Sequence, residues 1–154
     1  MPTFRSARSV RHSAERMFDL VADIEKYPEF VPLCQSLRVK KRTTDAAGLE
    51  VLVADMSVGY LAIRERFTSR VTLDRAKMKI LVEYVDGPFS HLENVWTFKD
   101  EPDVAASRVE FYIDYEFCSR MLGALMGSMF DVAFRKFADA FEARANKVYG
   151  LAKA

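Results

Sequence analysis

The stretch SRMLGALMGSMFDVAFRKFADAFEARANKVY, residues Ser119–Tyr149, contains no proline and decides the fold. Its apolar residues recur every three or four positions, which predicts one amphipathic helix, roughly 45 Å long at the usual rise per residue. The opposite side carries a charged stripe at the same spacing, as expected of a face in water. The predicted apolar face consists of Leu122, Met126, Met129, Phe130, Ala133, Phe137, Ala140, Phe141 and Val148, and the charged stripe of Asp131, Arg135, Asp139 and Glu142.

The first half of this predicted helix carries no charge from Met121 to Phe130, although it contains three methionines and two glycines. Methionine fills irregular space, and glycine lets a neighbouring group approach the backbone closely. Two interpretations stay open at this point. Either this half is buried in the core, or it covers an apolar cavity and lines the space for a ligand.

The residues before this helix predict a strand, a short helix and a rigid connection. Thr3–His12 is assigned to a strand, and Ser13 is suited to cap a helix that carries apolar residues from Met17 to Ile24. This helix is expected to end before Pro28, because the residue preceding a proline avoids the helical conformation. The prolines in Tyr27–Pro32 then predict a tight, rigid connection that could contain one short helical turn.

From Ser36 to Phe117 the sequence predicts about six strands in succession, with turns at 45–48 and 86–88 and a bend at Gly59. Apolar and polar residues alternate along them, which indicates an antiparallel sheet with one apolar face. In the strand that starts at Tyr60, the predicted inward residues are Leu61, Ile63, Phe67, Val71 and Leu73. We therefore predict an α+β, helix-grip fold: a curved antiparallel sheet of about six or seven strands wrapped around the long C-terminal helix, with an apolar cavity between them. The 154 residues are expected to form a single domain, 1–154.

Composition excludes several classes of protein and site. The formal net charge is +1, which favours no particular charged partner. Cys34 and Cys118 form no metal-binding pattern, so neither a disulfide framework nor a zinc site is expected, and no other metal spacing is present. The chain begins without a signal pattern and has no run of apolar residues long enough to span a membrane. These features predict a cytoplasmic protein.

Several segments, in order, resemble one known family. They are FDLVADIEKYPEFVPLC (18–34), FTSRV (67–71), DGPF (86–89), Leu92 with WTF (96–98), and Phe130-Asp131 through FEARA (141–145) to Tyr149-Gly150. Together they resemble the START-like (polyketide cyclase/dehydrase) superfamily and, within it, the coenzyme-Q-binding and ribosome-association-toxin family. The resemblance implies a helix-grip fold with an apolar cavity. It implies two different functions, because some members look like ubiquinone-binding proteins needed for respiration, and others like toxins that bind the large ribosomal subunit.

The sequence offers no convincing catalytic group. An enzyme would need a nucleophile with a base, or convergent acid and base groups. The two histidines, His12 and His91, are interpreted as surface residues, and Cys34 as a small buried side chain. We therefore expect a protein that is not an enzyme and has no cofactor.

The predicted inward strand faces supply the candidate ligand-binding residues. Glu65, Ser69 and Asn94 are polar residues on apolar faces, where they either pair with one another or water, or orient the polar head of a ligand. Phe89 is interpreted either as a gate at the cavity mouth or as a cap on the core. The candidate set is Glu65, Phe67, Tyr84, Phe89, Asn94, Trp96, Phe98, Phe111, Met126, Met129 and Phe130.

The leading hypothesis is therefore a carrier that binds a polyprenylated quinone, ubiquinone being the expected ligand, and delivers it to respiratory enzymes. Such a carrier is expected to contact the inner membrane peripherally. The alternative is an inhibitor of ribosomal subunit association that binds the large ribosomal subunit through basic residues on one strand. The candidate basic residues are Arg38, Lys40, Lys41 and Arg42.

Overall fold

The computed structural model describes residues 3–60, 63–102 and 105–150, and it confirms the predicted α+β helix-grip fold. One antiparallel sheet of seven strands packs two α-helices against a single face. The elements are β1 (Thr3–Val10), α1 (Ala14–Ala22), a 3₁₀ helix (Ile24–Glu29), β2 (Cys34–Thr44), β3 (Glu50–Tyr60), β4 (Ile63–Asp74), β5 (Lys79–Asp86), β6 (Phe89–Asp100), β7 (Ser107–Phe117) and α2 (Arg120–Tyr149).

The strands lie in the order β1-β7-β6-β5-β4-β3-β2, so that β2 to β7 form a meander and β1 joins it beside β7. Side chains alternate between the faces of each strand, so the registers set which residues meet on the inner face. One inner row, for example, runs Leu37–Met56–Phe67 across β2, β3 and β4, and the next contains Ala54 opposite Ser69. The inner face of these three strands is the floor of the space beneath α2.

Gly59 lies inside β3 and does not form the predicted bend. Its N–H donates to the carbonyl oxygen of Leu33 at 3.0 Å, and a Cβ at this position would lie 2.5 Å from Nε2 of Gln35. The Gln35 side chain at the start of β2 therefore lies directly over this glycine and would have to move to admit a larger residue. The predicted inward position of Leu61 and the side chain of Ile63 lie outside the described residues.

The first helix is shorter than the sequence pattern indicates. Ser13 caps it as predicted, its Oγ accepting a hydrogen bond from the backbone N–H of Arg16 at 3.2 Å. The α-helix ends at Ala22, and the chain continues as the 3₁₀ helix, which contains Pro28. Helical structure therefore extends into the stretch predicted as a connection.

The C-terminal helix begins and ends where predicted, with the Oγ of Ser119 accepting from the N–H of Leu122 at 3.1 Å. Its buried face differs from the predicted one at three positions, one of which is Ala145, a fully buried residue that the prediction omitted. Phe134 is buried against Phe4, Phe111 and Tyr115, whereas Val148 is 51% exposed. Phe134 belongs to the face because it follows Phe130 by four residues, close to one helical turn.

The charge-free half of α2 is only partly buried, and Phe130 is the residue of this half that lines the cavity, so each interpretation of it holds only in part. Met126 is completely buried, but Met121 is 74% exposed and Leu125 is 53% exposed. The two exposed residues, Met121 and Leu125, form a stripe with Ser128 and Val132 on the side of the helix that faces away from the sheet. In the second half of α2 the same side carries charged residues such as Asp139.

His12 is a buried residue, and its interpretation as a surface histidine was wrong. Its side chain is 2% exposed, and Nε2 lies 2.7 Å from Oδ1 of Asn146 on α2. The ring also packs near Tyr149, with a centroid distance of 6.0 Å. This pair ties the end of β1 to the C-terminal turns of α2. His91, in contrast, is partly exposed and lies 3.2 Å from Asp114.

Candidate functional site

A cavity of about 110 Å³ lies between α2 and the inner face of the sheet. Its roof is formed by four phenylalanines of α2 that follow one another by three or four positions, Phe130, Phe134, Phe137 and Phe141. The 3₁₀ helix and the segment that follows it close one side through Tyr27, Val31, Pro32 and Leu33. The floor comes from β2 to β7, and the wall as a whole is almost entirely apolar.

The hollow exists because two small side chains face each other on the floor. Ala54 of β3 and Ser69 of β4 are register partners, both are buried, and both line the cavity. The register between β4 and β5 shifts at Ser69, which pairs with Tyr84, while Thr68 pairs with Asp86. Such a bulge changes the direction of the strand locally. Tyr84 packs on Phe89 (ring centroids 5.7 Å apart) and does not line the cavity.

Asn94 is a buried polar residue of the wall that is held by two hydrogen bonds. Its Oδ1 accepts from Nε1 of Trp96 at 3.1 Å, and its Nδ2 donates to the carbonyl oxygen of Tyr112 at 2.8 Å. These bonds satisfy the amide oxygen and one of its two N–H groups. They also fix the Trp96 ring, which stands at a steep angle to Phe111 and Phe141, with centroids 4.8 and 4.9 Å away.

Five of the eleven candidate ligand-binding residues line this cavity together: Phe67, Asn94, Trp96, Phe111 and Phe130. The other six do not line it. Tyr84 and Phe89 belong to an aromatic cluster beside it, in which Phe89 is buried and stacks on Phe117. Phe98 packs beneath Phe18 of α1, and Met126 is buried in the core. Glu65 and Met129 are half-buried residues outside the cavity wall.

Four parts of the cavity wall were not predicted to belong to the site: Phe134, Phe137, Phe141 and the 27–33 segment. The spacing of the four phenylalanines on α2 was a usable signal, since residues at these intervals share one face of a helix. For Val31, Pro32 and Leu33 no periodic signal exists, because they belong to neither a strand nor a helix.

The four candidate basic residues lie exposed on β2, an edge strand of the sheet. Two of them are close to carboxylates: Lys40 Nζ lies 3.9 Å from Asp55, and Arg42 donates to Glu25 at 2.6 Å. The positive charge of this edge is therefore partly compensated. Arg38 and Lys41 form no ion pair with the described residues.

The groups near the cavity are poorly suited to acid–base or nucleophilic chemistry. Within the described part of the chain, no carboxylate, histidine or lysine lines the wall. Burial raises the pKa of the Cys34 thiol to about 11, which keeps it protonated and a weak nucleophile at neutral pH. The hydroxyl of Tyr27 donates to the carbonyl oxygen of Val21, and burial raises its pKa as well.

The described residues contain no cluster of three or more histidine, cysteine, aspartate or glutamate side chains that could hold a metal ion. Neither of their α-helices is both long and apolar enough to cross a membrane.

Comparison with known proteins finds relatives of two kinds. The chain is 33% identical over 149 residues to the ribosome association toxin RatA of Escherichia coli (strain K12), covering 97% of this chain and 90% of the relative. It is 30% identical to the mitochondrial coenzyme Q-binding protein COQ10 homolog B of Xenopus laevis, covering 96% of this chain and 59% of the relative.

A solved structure and a family model also match most of the chain. The solution structure of an 18 kDa protein from Caulobacter crescentus superimposes with a TM-score of 0.78 at 34% identity, covering 97% of this chain and 99% of the other. Residues 10–142 match the family model described as polyketide cyclase / dehydrase and lipid transport. The chain therefore belongs to the polyketide cyclase/dehydrase and lipid transport family, within the START-like superfamily.

Proposed function

We propose that this protein binds a polyprenylated quinone, ubiquinone being the leading candidate, and carries it to respiratory enzymes without catalysing a reaction. The apolar cavity under α2 is the observation that carries the proposal. Its wall holds many aromatic rings, two polar side chains in Ser69 and Asn94, and the internally bonded hydroxyl of Tyr27. Such a wall suits an apolar ligand with one small polar group. The relative named as a coenzyme Q-binding protein gives independent support.

The size of the cavity limits how much of the ligand enters. An apolar cavity of about 150 Å³ in another protein holds benzene, whereas sites for whole small molecules usually exceed roughly 300 Å³. A volume of about 110 Å³ therefore suits part of one ring, with room gained by movement of flexible neighbours such as Met56. In this proposal the quinone ring enters, and the prenyl tail stays outside the closed space.

The direct test is to extract natively purified protein with organic solvent and identify bound lipids by mass spectrometry. The chain contains one tryptophan, and Trp96 lines the cavity, so its fluorescence reports on the site without added labels. Quinones quench tryptophan on contact. A short-chain ubiquinone should therefore quench the emission saturably. Absence of both bound quinone and saturable quenching would overturn the proposal.

Peripheral membrane contact is part of the proposal, because the prenyl tail has to leave a bilayer. The exposed stripe of α2 supports it: Met121 and Leu125 are large apolar residues within the charge-free stretch from Met121 to Phe130, and exposed Val132 continues the same side. Arg120 lies exposed at the start of this helix, where it can meet anionic headgroups. An exposed apolar face with a flanking cation is typical of helices that rest in the membrane interface.

Replacing both Met121 and Leu125 by aspartate should weaken binding to anionic phospholipid vesicles by at least about tenfold, because each buried apolar side chain contributes roughly 1.5–3 kcal/mol. Cys118 is exposed and Cys34 is buried, so a polarity-sensitive dye can be attached at Cys118, next to the stripe. Vesicle titrations then report the affinity. Lys136→Asp makes the same change in net charge on the same helix and should have a much smaller effect. If both variants lost the same vesicle affinity, the loss would come from the added negative charge and not from the apolar stripe.

A second candidate function is association with the large ribosomal subunit. The exposed basic edge strand and the relatives named as ribosome association toxins favour it. Lysine and arginine on an accessible edge can neutralise the phosphates of ribosomal RNA. The ion pairs of Lys40 and Arg42 weaken this argument, since their partners have to be displaced or shared.

Under this second candidate, the triple variant Lys40→Glu, Lys41→Glu and Arg42→Glu should lose co-sedimentation with large ribosomal subunits, and binding of the parent should fall steeply with salt. A matched triple reversal at Lys77, Lys79 and Lys99, which are also exposed, should retain binding. Quinone quenching of Trp96 should be unchanged in both variants. Parent protein that does not sediment with ribosomes at low salt would exclude the candidate.

A further inference from the structure

We propose that the hydroxyl of Ser69 is the recognition group for the ligand's polar end, and that the cavity therefore selects planar rings that carry a carbonyl oxygen. This inference rests on the proposed function and deepens it, since it names the ligand chemistry that the site distinguishes. The sequence pattern placed Ser69 on an apolar strand face without deciding between an internal hydrogen bond and a ligand contact.

Ser69 combines burial with an unused hydroxyl. Its residue is 7% exposed, and it lines the cavity between Phe67 and Val71 of the same strand. Its register partner on β3 is Ala54, whose methyl group offers no hydrogen bond. The hydrogen bonds among the described residues include none that engages the Ser69 hydroxyl. The Ser69 hydroxyl is not one of the fully buried polar atoms without a partner, because the residue borders the open space of the cavity. A ligand acceptor placed in that space could take its hydrogen bond.

The other polar groups of the wall have structural tasks. The Asn94 amide holds Trp96 and the backbone of β7 through two hydrogen bonds. The Tyr27 hydroxyl is bonded to the end of α1 at Val21. Ser69 is thus the polar side chain of the wall whose hydrogen-bonding capacity is entirely available to a ligand.

The chemistry of the ligand follows from this arrangement. A serine hydroxyl donates one hydrogen bond, and a ring carbonyl is a matching acceptor. The surrounding phenylalanines and valines reject charge, which excludes carboxylate and phosphate head groups. A quinone ring is uncharged and offers a carbonyl acceptor, while a hydrocarbon of the same shape is uncharged but offers no acceptor.

The test compares duroquinone with durene, which has the same methyl-substituted ring without the carbonyls. Neither can add to a cysteine thiol through a free activated ring position. Isothermal titration calorimetry of each ligand is carried out on the parent, on Ser69→Ala and on Ser107→Ala. Ser107 is the control, because its hydroxyl is buried without a partner among the described residues and lies outside the cavity wall.

We expect Ser69→Ala to bind duroquinone roughly two- to tenfold more weakly, the range for one net hydrogen bond, and to bind durene unchanged. Ser107→Ala should match the parent for both ligands. Equal duroquinone affinities for the parent and Ser69→Ala would overturn the inference and leave the proposed function standing. Parent protein that binds neither duroquinone nor a short-chain ubiquinone would overturn the proposed function, and this inference with it.

Discussion

Replacing Phe141 by alanine should lower the free energy of unfolding by about 3–5 kcal/mol, the range for removing a buried aromatic ring. Phe141 is 2% exposed and connects three parts of the fold. Its ring packs against three other aromatic rings. The distances between ring centroids are 4.9 Å to Trp96 on the sheet, 5.0 Å to Phe30 after the 3₁₀ helix and 5.5 Å to Tyr27 within that helix. The alanine variant loses the contacts that hold α2 against the sheet and against the segment around the 3₁₀ helix.

The midpoint of thermal unfolding should fall by roughly 6–20 °C for a chain of this length. Circular dichroism measures it directly. Val148→Ala, on the same helix but half exposed, should change the free energy of unfolding by less than about 0.5 kcal/mol. A loss below about 1 kcal/mol for Phe141→Ala would contradict the packing described for α2.

Phe141 also lines the cavity, so its removal should join the space of the lost ring to the existing hollow. Small apolar rings such as toluene should then stabilise the variant more than the parent, because a ligand that binds only the folded state raises stability by mass action. This ligand-dependent recovery separates cavity enlargement from general loss of structure.

The fold could be predicted from the sequence because two periodicities carry it. Alternation with a period of two marks β4 to β7, and the spacing of three and four marks α2, which begins and ends where the pattern indicates. Local propensity could not predict the burial of His12, since its partner Asn146 lies 134 positions away in the chain.

The site was less predictable for a physical reason. Alternation assigns a residue to the inner face but does not say whether space remains above it. Phe98 and Phe111 share an inner face, yet Phe98 is covered by Phe18 while Phe111 borders the hollow. The hollow depends on two small residues that become neighbours only through the β3–β4 register, Ala54 and Ser69. The sequence shows that both side chains are small, but it does not show that the space above them stays unfilled in the folded protein.

Replacing Ala54 by leucine should abolish quinone binding while the protein stays folded. The Ala54 side chain is buried at the floor of the cavity, beside Ser69, and three added carbon atoms would occupy the space that the ring needs. Each methylene that fills empty apolar space stabilises the folded state by about 0.8 kcal/mol, whereas overpacking costs about 1–3 kcal/mol. The two effects oppose each other, so the free energy of unfolding should change by less than about 2 kcal/mol.

Quenching of Trp96 by a short-chain ubiquinone should therefore lose at least about tenfold in apparent affinity in Ala54→Leu, equivalent to 1.4 kcal/mol or more. Ala143→Leu, which adds the same atoms at an exposed site on α2, should bind as the parent does. If Ala54→Leu bound quinone normally while remaining folded, the ligand would have to sit elsewhere. The carrier function would then lose its proposed site, which is the apolar cavity beneath α2.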